Sequence, residues 1–539
     1  MAKQIVILSG HVCAGKSTLA AKLSEKFGFK HVKTWAFIKA RGEHLKLERT
    51  ALQNFGDFLD TKTGGAWVRD DLQKIERKEP ATALIVIDSI RHPGQIKFLR
   101  KAYGRQIMHV HLTANLQELE RRYIERRKQR TDIAELESYK DVLANKTEAA
   151  VEALADNADV VIGSDRCNEE DIVVRVASHL GWYGREYLRL VDVLVGGQYG
   201  SEGKGQVASY LSSEYDLLIR VGGPNAGHKV KVPGSSKVFT FRHLPSGSLS
   251  SNASLLIGAG AVMYVPTLLE EIANAKIGVD RLMIDPQAMT ISELDRRREV
   301  GLKGLIGSTG QGVGQATARR IVGRGKNHVR LAKDVPALRP YLRESCDVLQ
   351  RLFREGKRAF LEGTQGTGLS IFHGHYPHVT SRDTTVTGCL AEAGISPTRV
   401  RKVIMVCRTY PIRVGSPSAD HTSGYMSGEL TWAEIERRAR FKRGKIAKQE
   451  VGSVSGKPRR VAEFDWVLLR KAASLNAPTD IALTFADYID QQNLDARRFE
   501  QLTEPTIRFI EEVERVAAAP VTLISTRFHE RSIIDRRAW

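Results

Sequence analysis

The chain has 539 residues, 42% hydrophobic and 27% charged, which excludes a disordered or low-complexity protein and exceeds what one ordinary domain holds. A formal net charge of +20 admits a nucleic-acid partner, but no aromatic and basic interleaving of the RNA-reading kind occurs, so sites for small anions account better for the cations. Five scattered cysteines (Cys13, Cys167, Cys346, Cys389, Cys407) without a Cys-x-x-Cys pair exclude a disulfide framework or structural zinc site, and with no signal-peptide pattern and no membrane-length apolar run the expectation is a cytoplasmic protein with reduced thiols.

Ile5 to Leu8 read as a buried strand. Gly10-His-Val-Cys-Ala-Gly15-Lys16-Ser17-Thr18 follows with the spacing Gly-x-x-x-x-Gly-Lys-Ser, and a helix is expected over Thr18 to Phe27. In that order a strand, a glycine loop and a helix cradle phosphate: loop amides face the β-phosphate, Lys16 neutralises the β and γ groups, and Ser17 offers its hydroxyl to Mg²⁺. Ala83 to Asp88 is a second buried strand ending in an acid, which makes Asp88 the carboxylate candidate on the metal side. Strands over Met108 to Leu112 and Asp159 to Gly163, around an arginine-rich helix over Leu116 to Arg130, complete an alternating β/α pattern. This region resembles the nucleoside monophosphate kinase branch of P-loop folds. The resemblance implies lid arginines closing over the transferring phosphoryl group, with Arg122, Arg126, Arg127 and Arg130 as candidates, and Arg41, Arg49 and Arg91 nearer the acceptor.

Gly181 to Tyr187 carries the junction, so the expected domains are residues 1–183, P-loop kinase-like and three-layered, and residues 184–539. The second opens with a Val191 to Val195 strand that runs into Gly196-Gly-Gln-Tyr-Gly-Ser-Glu-Gly-Lys-Gly205, ending with Lys204 at a helix start. Five glycines in these ten residues let the backbone approach a phosphate closely, although the Walker A spacing fails. Further segments follow in order: Gly222-Gly-Pro-Asn225-Ala-Gly227-His228, Gly307-Ser-Thr309-Gly310-Gln-Gly-Val-Gly314, Glu362-Gly-Thr-Gln365-Gly-Thr, Val379-Thr380-Ser381 and Gly452-Ser-Val-Ser455-Gly456-Lys457-Pro-Arg459.

Collinear from Val191 onward, these segments resemble those of adenylosuccinate synthetases, which implies a mixed α/β fold acting as a homodimer. The resemblance implies that His228 acts on the phosphoryl group in transfer and that Gly227 offers a carbonyl to Mg²⁺, with Ser201 beside it. Asn225, Thr309, Gly310, Gln365 and Thr380 would bind a purine monophosphate, Gln365 at its six-position. Gly203, Lys204, Gly205, Arg459, Asp487 and Ser525 would bind the triphosphate, and Ser455, Gly456, Lys457 and Arg459 the aspartate. Gly323 stands where the family places an arginine across the dimer interface, with Arg320 and Arg324 as substitutes. The His373, His375 and His378 cluster is read as a loop, because no acidic partner sits at ligand spacing.

The implied chemistry phosphorylates O6 of the purine and lets the amino group of aspartate displace phosphate at C6. Ser201 stands where the family has its catalytic Asp, and a hydroxyl cannot serve as that base at neutral pH. Either the domain binds purines without turnover, as a nucleotide-sensing or defence protein would, or its substrate differs from IMP. Guanine carries a C2 amino group that Ser201 leaves room for, and the same change resembles that of bacteriophage 2-aminoadenylosuccinate synthetases, which join dGMP to aspartate. The guanine-reading Thr-Lys-x-Asp of the family is Thr484-Phe485-Ala486-Asp487 here, and Arg527 replaces a Gly near Ser525, which leaves ATP or dATP open beside GTP.

Overall fold

A computed structural model describes residues 3–41, 49–79, 83–129, 138–182, 188–325, 328–451, 458–529 and 532–537. The chain divides into two compact units, Met1–Glu186 and Tyr187–Trp539.

In the first unit, β1 (Gln4–Ser9), β2 (Lys30–Lys33), β3 (Leu84–Asp88), β4 (Ile107–Thr113) and β5 (Val160–Gly163) form one sheet in the order β2-β3-β1-β4-β5. All its pairs are parallel. Such a sheet needs cover on both faces, and the strand sequences are accordingly continuous apolar runs rather than alternating ones. Ile5, Ile7, Ile85 and Ile87 enter one core cluster while Val6, Leu8, Val86 and Val110 enter another. One sequence expectation shifts slightly. Helix α1 covers Lys16–Phe27, starting earlier than Thr18 because left-handed Gly15 (φ 98°) already turns the chain into the helix. Helix α2 covers Leu116–Gln129.

The second unit is built on a nine-stranded sheet. Its strands are β6 (Val191–Gly196), β7 (Leu217–Arg220), β8 (Ser254–Ile257), β9 (Leu282–Ile284), β10 (Ala359–Glu362), β11 (Val400–Arg408), β12 (Asp480–Thr484), β13 (Val521–Ser525) and β14 (Ile533–Asp535). They lie in the order β9-β8-β7-β10-β6-β11-β12-β13-β14, parallel throughout except for β14, which runs antiparallel at the edge. Alternate residues of β6 serve opposite faces: Val191, Val193 and Val195 pack in one cluster, Leu194 in the other. Six neighbouring strands, β7, β10, β6, β11, β12 and β13, share one direction, so the segments following them emerge at one edge of the sheet. In open α/β sheets that carboxyl edge is where ligands bind.

Candidate active sites

In the first unit Gly10 (φ 127°) is required: a Cβ there would lie 2.0 Å from the Leu112 carbonyl oxygen, so the loop hugs β4. Lys16 is buried and its Nζ donates to the Gly10 and His11 carbonyls, both at 2.7 Å. Burial, with Arg91 beside it, lowers its pKa to about 8. Ser17 Oγ donates to Asp88 Oδ2 at 2.6 Å. Burial opposes ionisation of Asp88, but His31, Ser17 and the Lys16 charge outweigh it and hold the carboxyl at about 2. A hydroxyl and an ionised carboxylate side by side are hard oxygen donors, a set that fits Mg²⁺ carried in with a nucleotide. A cavity of about 900 Å³ opens from this loop and is lined by Lys16, Asp88, Arg91, Arg122, Arg126 and Gln53, among others.

The structure sorts the arginine candidates. Arg91 pairs with buried Glu148, which also accepts the Val12 amide at 2.6 Å. Arg122 donates to Ser164 and to the Cys13 carbonyl, and so ties α2 to the phosphate loop. Arg41 pairs with Asp71. The backbone of Arg49 is described, its side chain is not, and Arg130 lies outside the described residues.

In the second unit, Gly203 (φ 88°) opens helix α3 (Lys204–Leu211). Lys204 is buried, with Nζ 2.5 Å from Glu202 Oε2 and 3.2 Å from the Gly200 carbonyl. Glu202 Oε1 accepts the amides of Gln198 and Gly200, so one carboxylate shapes the loop and anchors its lysine. Two other segments press on this loop. A Cβ on Gly196 would lie 2.5 Å from the Gln365 carbonyl oxygen, and one on Gly205 would lie 2.9 Å from His228 Cβ. The glycines are therefore close approaches between strand-end segments. Gln365, itself left-handed (φ 66°), donates through Nε2 to Thr380 Oγ1 at 2.6 Å.

His228 starts a hairpin strand and is buried. Its Nδ1 lies 2.5 Å from Glu362 Oε1. A carboxylate only accepts, so Nδ1 carries the hydrogen. Arg220 Nη1 donates to the same oxygen at 2.6 Å, and Ser246 closes the set through its hydroxyl and amide. Burial and the Arg220 charge lower the His228 pKa to about 4, while Arg220 and His228 hold Glu362 at about 2 despite its burial. The neutral ring presents Nε2 as a buried nitrogen with no partner among the described residues. Asn225 Oδ1, Thr309 Oγ1 and Ser381 Oγ are buried and unpartnered in the same sense. Buried polar atoms without partners are rare in folded proteins and point to a ligand.

Within the segment Gly307 to Gly314, neighbouring side chains already take several amides. Two of its amides, Gly312 and Gly314, donate to buried Glu299 at 2.5 and 2.7 Å, so a carboxylate already caps that helix start. The Gly310 amide donates to Ser308 Oγ at 3.1 Å, while the buried Thr309 Oγ1 has no partner among the described residues. Arg320 and Arg324 donate to carbonyls of their own unit.

On the other side of the loop, Ser201 is half-buried and its carbonyl accepts from Arg408 Nη1 at 3.2 Å. Arg408, at the end of β11, is buried, its guanidinium 4.0 Å from the Phe485 ring centre, and it pairs with Glu450 at 2.8 Å. Arg459 Nη1 reaches the second oxygen of Glu450 at 2.8 Å. Asp487 is buried, and burial pushes its carboxyl up to about 7. Ser525 Oγ lies 3.3 Å from Gln206 Oε1. Ser455, Gly456 and Lys457 lie outside the described residues. Sequence reasoning missed Arg408, Glu450 and Arg220; the one visible signal was an arginine closing the apolar run Val403 to Cys407.

Residues 193–336 and 326–494 match the adenylosuccinate synthetase family. The chain is 38% identical over 354 residues to an adenylosuccinate synthetase of Pyrococcus horikoshii, covering 64% of this chain and 98% of that protein. Among solved structures it is similar to cyanophage S-2L succinoaminodeoxyadenylate synthetase bound to dGMP and to dATP as an energy donor. That likeness has 27% identity and a TM-score of 0.55, over 65% of this chain and 96% of the other. The fully ligated adenylosuccinate synthetase of Plasmodium falciparum shares the fold, at 21% identity and a TM-score of 0.56, over 65% of this chain and all of that one.

Proposed function

The chain belongs to the adenylosuccinate synthetase family, and from that premise we propose that its second unit joins L-aspartate to C6 of dGMP, giving 2-amino-2′-deoxyadenylosuccinate monophosphate. The observation that carries the choice of purine is Ser201. Its small side chain leaves room beside the base at C2 and offers a hydroxyl to accept from the N2–H of guanine, where an aspartate would crowd that amino group. The cyanophage enzyme that resembles this chain was solved with dGMP and dATP, in line with this reading.

Transfer of the γ-phosphoryl group to O6 forms an O–P bond, breaks the β–γ bond of the triphosphate and releases the N1 proton. Attack of the aspartate nitrogen then breaks C6–O, and phosphate leaves. Lys204 and the loop amides meet the charge that builds on the transferred group, and the Nε2 lone pair of neutral His228 is a proton acceptor beside them. Glu362 holds the His228 ring in its tautomer. The Gly227 carbonyl and Ser201 hydroxyl would hold Mg²⁺ with the phosphates, and Mg²⁺ when bound supplies neutralisation of phosphate charge. With Phe485 in place of the guanine-reading lysine, ATP or dATP serves as donor at least as well as GTP.

The first unit, on this reading, transfers a phosphoryl group from a nucleoside triphosphate to a (deoxy)nucleoside monophosphate. Lys16, Ser17 and Asp88 hold the donor side of its cavity, with Arg91 facing the acceptor. The protein would work as a cytoplasmic homodimer. In the described residues no helix is long and apolar enough to cross a membrane.

The test is a panel of dGMP, GMP, IMP and AMP with aspartate, Mg²⁺ and ATP, dATP or GTP, followed by phosphate release and product mass. Efficient ligation of IMP with dGMP ignored returns the protein to ordinary adenylosuccinate synthesis. Inertness toward all four favours a sensor.

A further inference from the structure

The cavity of the first unit extends beyond its phosphate loop to the helix Arg49–Thr63, which lines it with Gln53, Gly56, Asp57 and Asp60. Residues three and four apart share one face of a helix. Gln53, Asp57 and Asp60 therefore stand in a row, about 6 Å and then about 4.5 Å apart along the axis at about 1.5 Å per residue. Within that row a Cβ on Gly56 would lie 3.3 Å from Ile38 Cδ1, so an apolar side chain closes on the helix beside the polar ends. Trp35 adds an aromatic ring to the same lining.

The three polar ends differ in what they offer. Gln53 Nε2 is buried without a partner among the described residues. Asp57 Oδ1 accepts from the Thr147 hydroxyl. Asp60 is buried and accepts from Trp67 Nε1 at 2.6 Å and from Gln95 Nε2 at 2.9 Å. Those contacts orient both carboxylates without exhausting them, because a carboxylate offers about four lone-pair sites. Along the helix the row is thus donor, acceptor, acceptor.

Bases held in protein pockets are read along their Watson–Crick edge, between apolar or aromatic side chains. Guanine presents an acceptor at O6, then donors at N1–H and N2–H, which is the complement of this row. Adenine would set its N1 lone pair against a carboxylate, and cytosine its N3 and O2. Thymine has one donor between two acceptors. The 2-aminoadenine edge is donor, acceptor, donor, and would need the amide in the middle.

We propose that the acceptor of the first unit is a guanine nucleoside monophosphate, with Gln53 donating to O6 and the Asp57 and Asp60 carboxylates accepting from N1–H and N2–H. The inference rests on the kinase reading of this unit given above and names its substrate. An oxygen of the dianionic 5′-phosphate bonds to the γ-phosphorus, the bond from that phosphorus to the β–γ bridging oxygen breaks, and the donor leaves as a diphosphate. No proton needs to move. The two units then draw on one purine monophosphate, one lengthening its phosphate chain and the other exchanging its O6.

The test uses the full-length protein with ATP and Mg²⁺, without aspartate, and dGMP, dIMP, dAMP, dTMP or dCMP as acceptor. The dGDP formed is identified by its elution against an authentic standard, because dGMP phosphorylated at O6 has the same mass. The expected kcat/KM for dGMP exceeds that for dIMP, which lacks only the N2 amino group, by about 10- to 100-fold. Asp57→Asn raises the dGMP KM about 10-fold and narrows the gap between dGMP and dIMP, with kcat changed less. Gln53→Met removes the donor to O6, raises the KM for dGMP and dIMP together and leaves that for dAMP; it decides the matter should Asp57→Asn fail to fold. Equal use of dGMP and dIMP, preference for another base, or variants that shift every KM alike overturn the guanine assignment and leave the kinase reading standing. A wild type that phosphorylates no monophosphate overturns both.

Discussion

His228 Nδ1 and Glu362 Oε1 stand 2.5 Å apart in a buried pair, and this contact leaves Nε2 as the ring nitrogen open to a ligand. His228→Asn removes the Nε2 acceptor and is expected to slow ligation by ~10²- to 10⁴-fold, the usual range for a positioned proton-transfer group. Phosphate release at saturating substrates checks it. Glu362→Ala acts on stability as well, because Arg220 is left buried without its partner, a loss of about 3–5 kcal/mol to be read by urea unfolding.

Each unit has its own glycine loop and its own lysine, Lys16 and Lys204. Lys16→Ala is expected to abolish phosphoryl transfer to a nucleoside monophosphate and to spare aspartate ligation, and Lys204→Ala to do the reverse. Loss of ligation in Lys16→Ala would show that the two sites are not independent.

If Asp487 reads the base of the triphosphate, as proposed, donor choice is expected to depend on pH. Its carboxyl, raised by burial to about 7, is protonated below that value. It can then give one hydrogen and accept another, which suits the N1 acceptor and N6 donor of adenine. Above it the carboxylate only accepts, which suits the N1–H and N2–H of guanine. The ratio of kcat/KM for GTP over ATP should therefore rise with pH, by up to about 100-fold between about pH 6 and about pH 8, as the ratio of carboxylate to carboxylic acid goes from about 0.1 to about 10. A flat ratio would remove Asp487 from base reading.

Ser201→Asp restores the family residue. It is expected to lower dGMP turnover and raise IMP turnover. A neutral hydrogen bond of the kind lost is worth roughly 0.5–1.5 kcal/mol, and an unsatisfied buried partner about 1–3, so the shift in preference is ~10- to 100-fold. Competition between dGMP and IMP in one reaction, read by product mass, measures it directly.

The glycine loops were legible in the sequence because the backbone demands them locally. Gly10, Gly196 and Gly205 each meet another chain segment where a Cβ would clash, and strand, loop and helix sit within one short stretch. The residues that organise the site around those loops were not legible. Arg408 and Glu450 are 42 positions apart and Arg220 and Glu362 are 142 apart; the second pair meets across adjacent strands, the first between a strand end and a loop, and no spacing rule announces either. Glu299 shows the converse. The amides of Gly312 and Gly314 look like a phosphate cradle in sequence, but an acid on the preceding helix takes them first.

The edge of the larger sheet guards the protein against itself. β13, Val521–Ser525, is buried along its whole length, and what covers its outer hydrogen-bonding side is the three-residue antiparallel β14, followed by Arg536 and Arg537. Arg537 is clamped by Glu214 and Asp535. Short, charged edge strands discourage pairing with strands of other molecules. Shortening the chain before β14 would bare the ladder of Val-Thr-Leu-Ile-Ser, a template for intermolecular β-sheet. Such truncated chains should be lost to aggregation before any defect in catalysis could be measured.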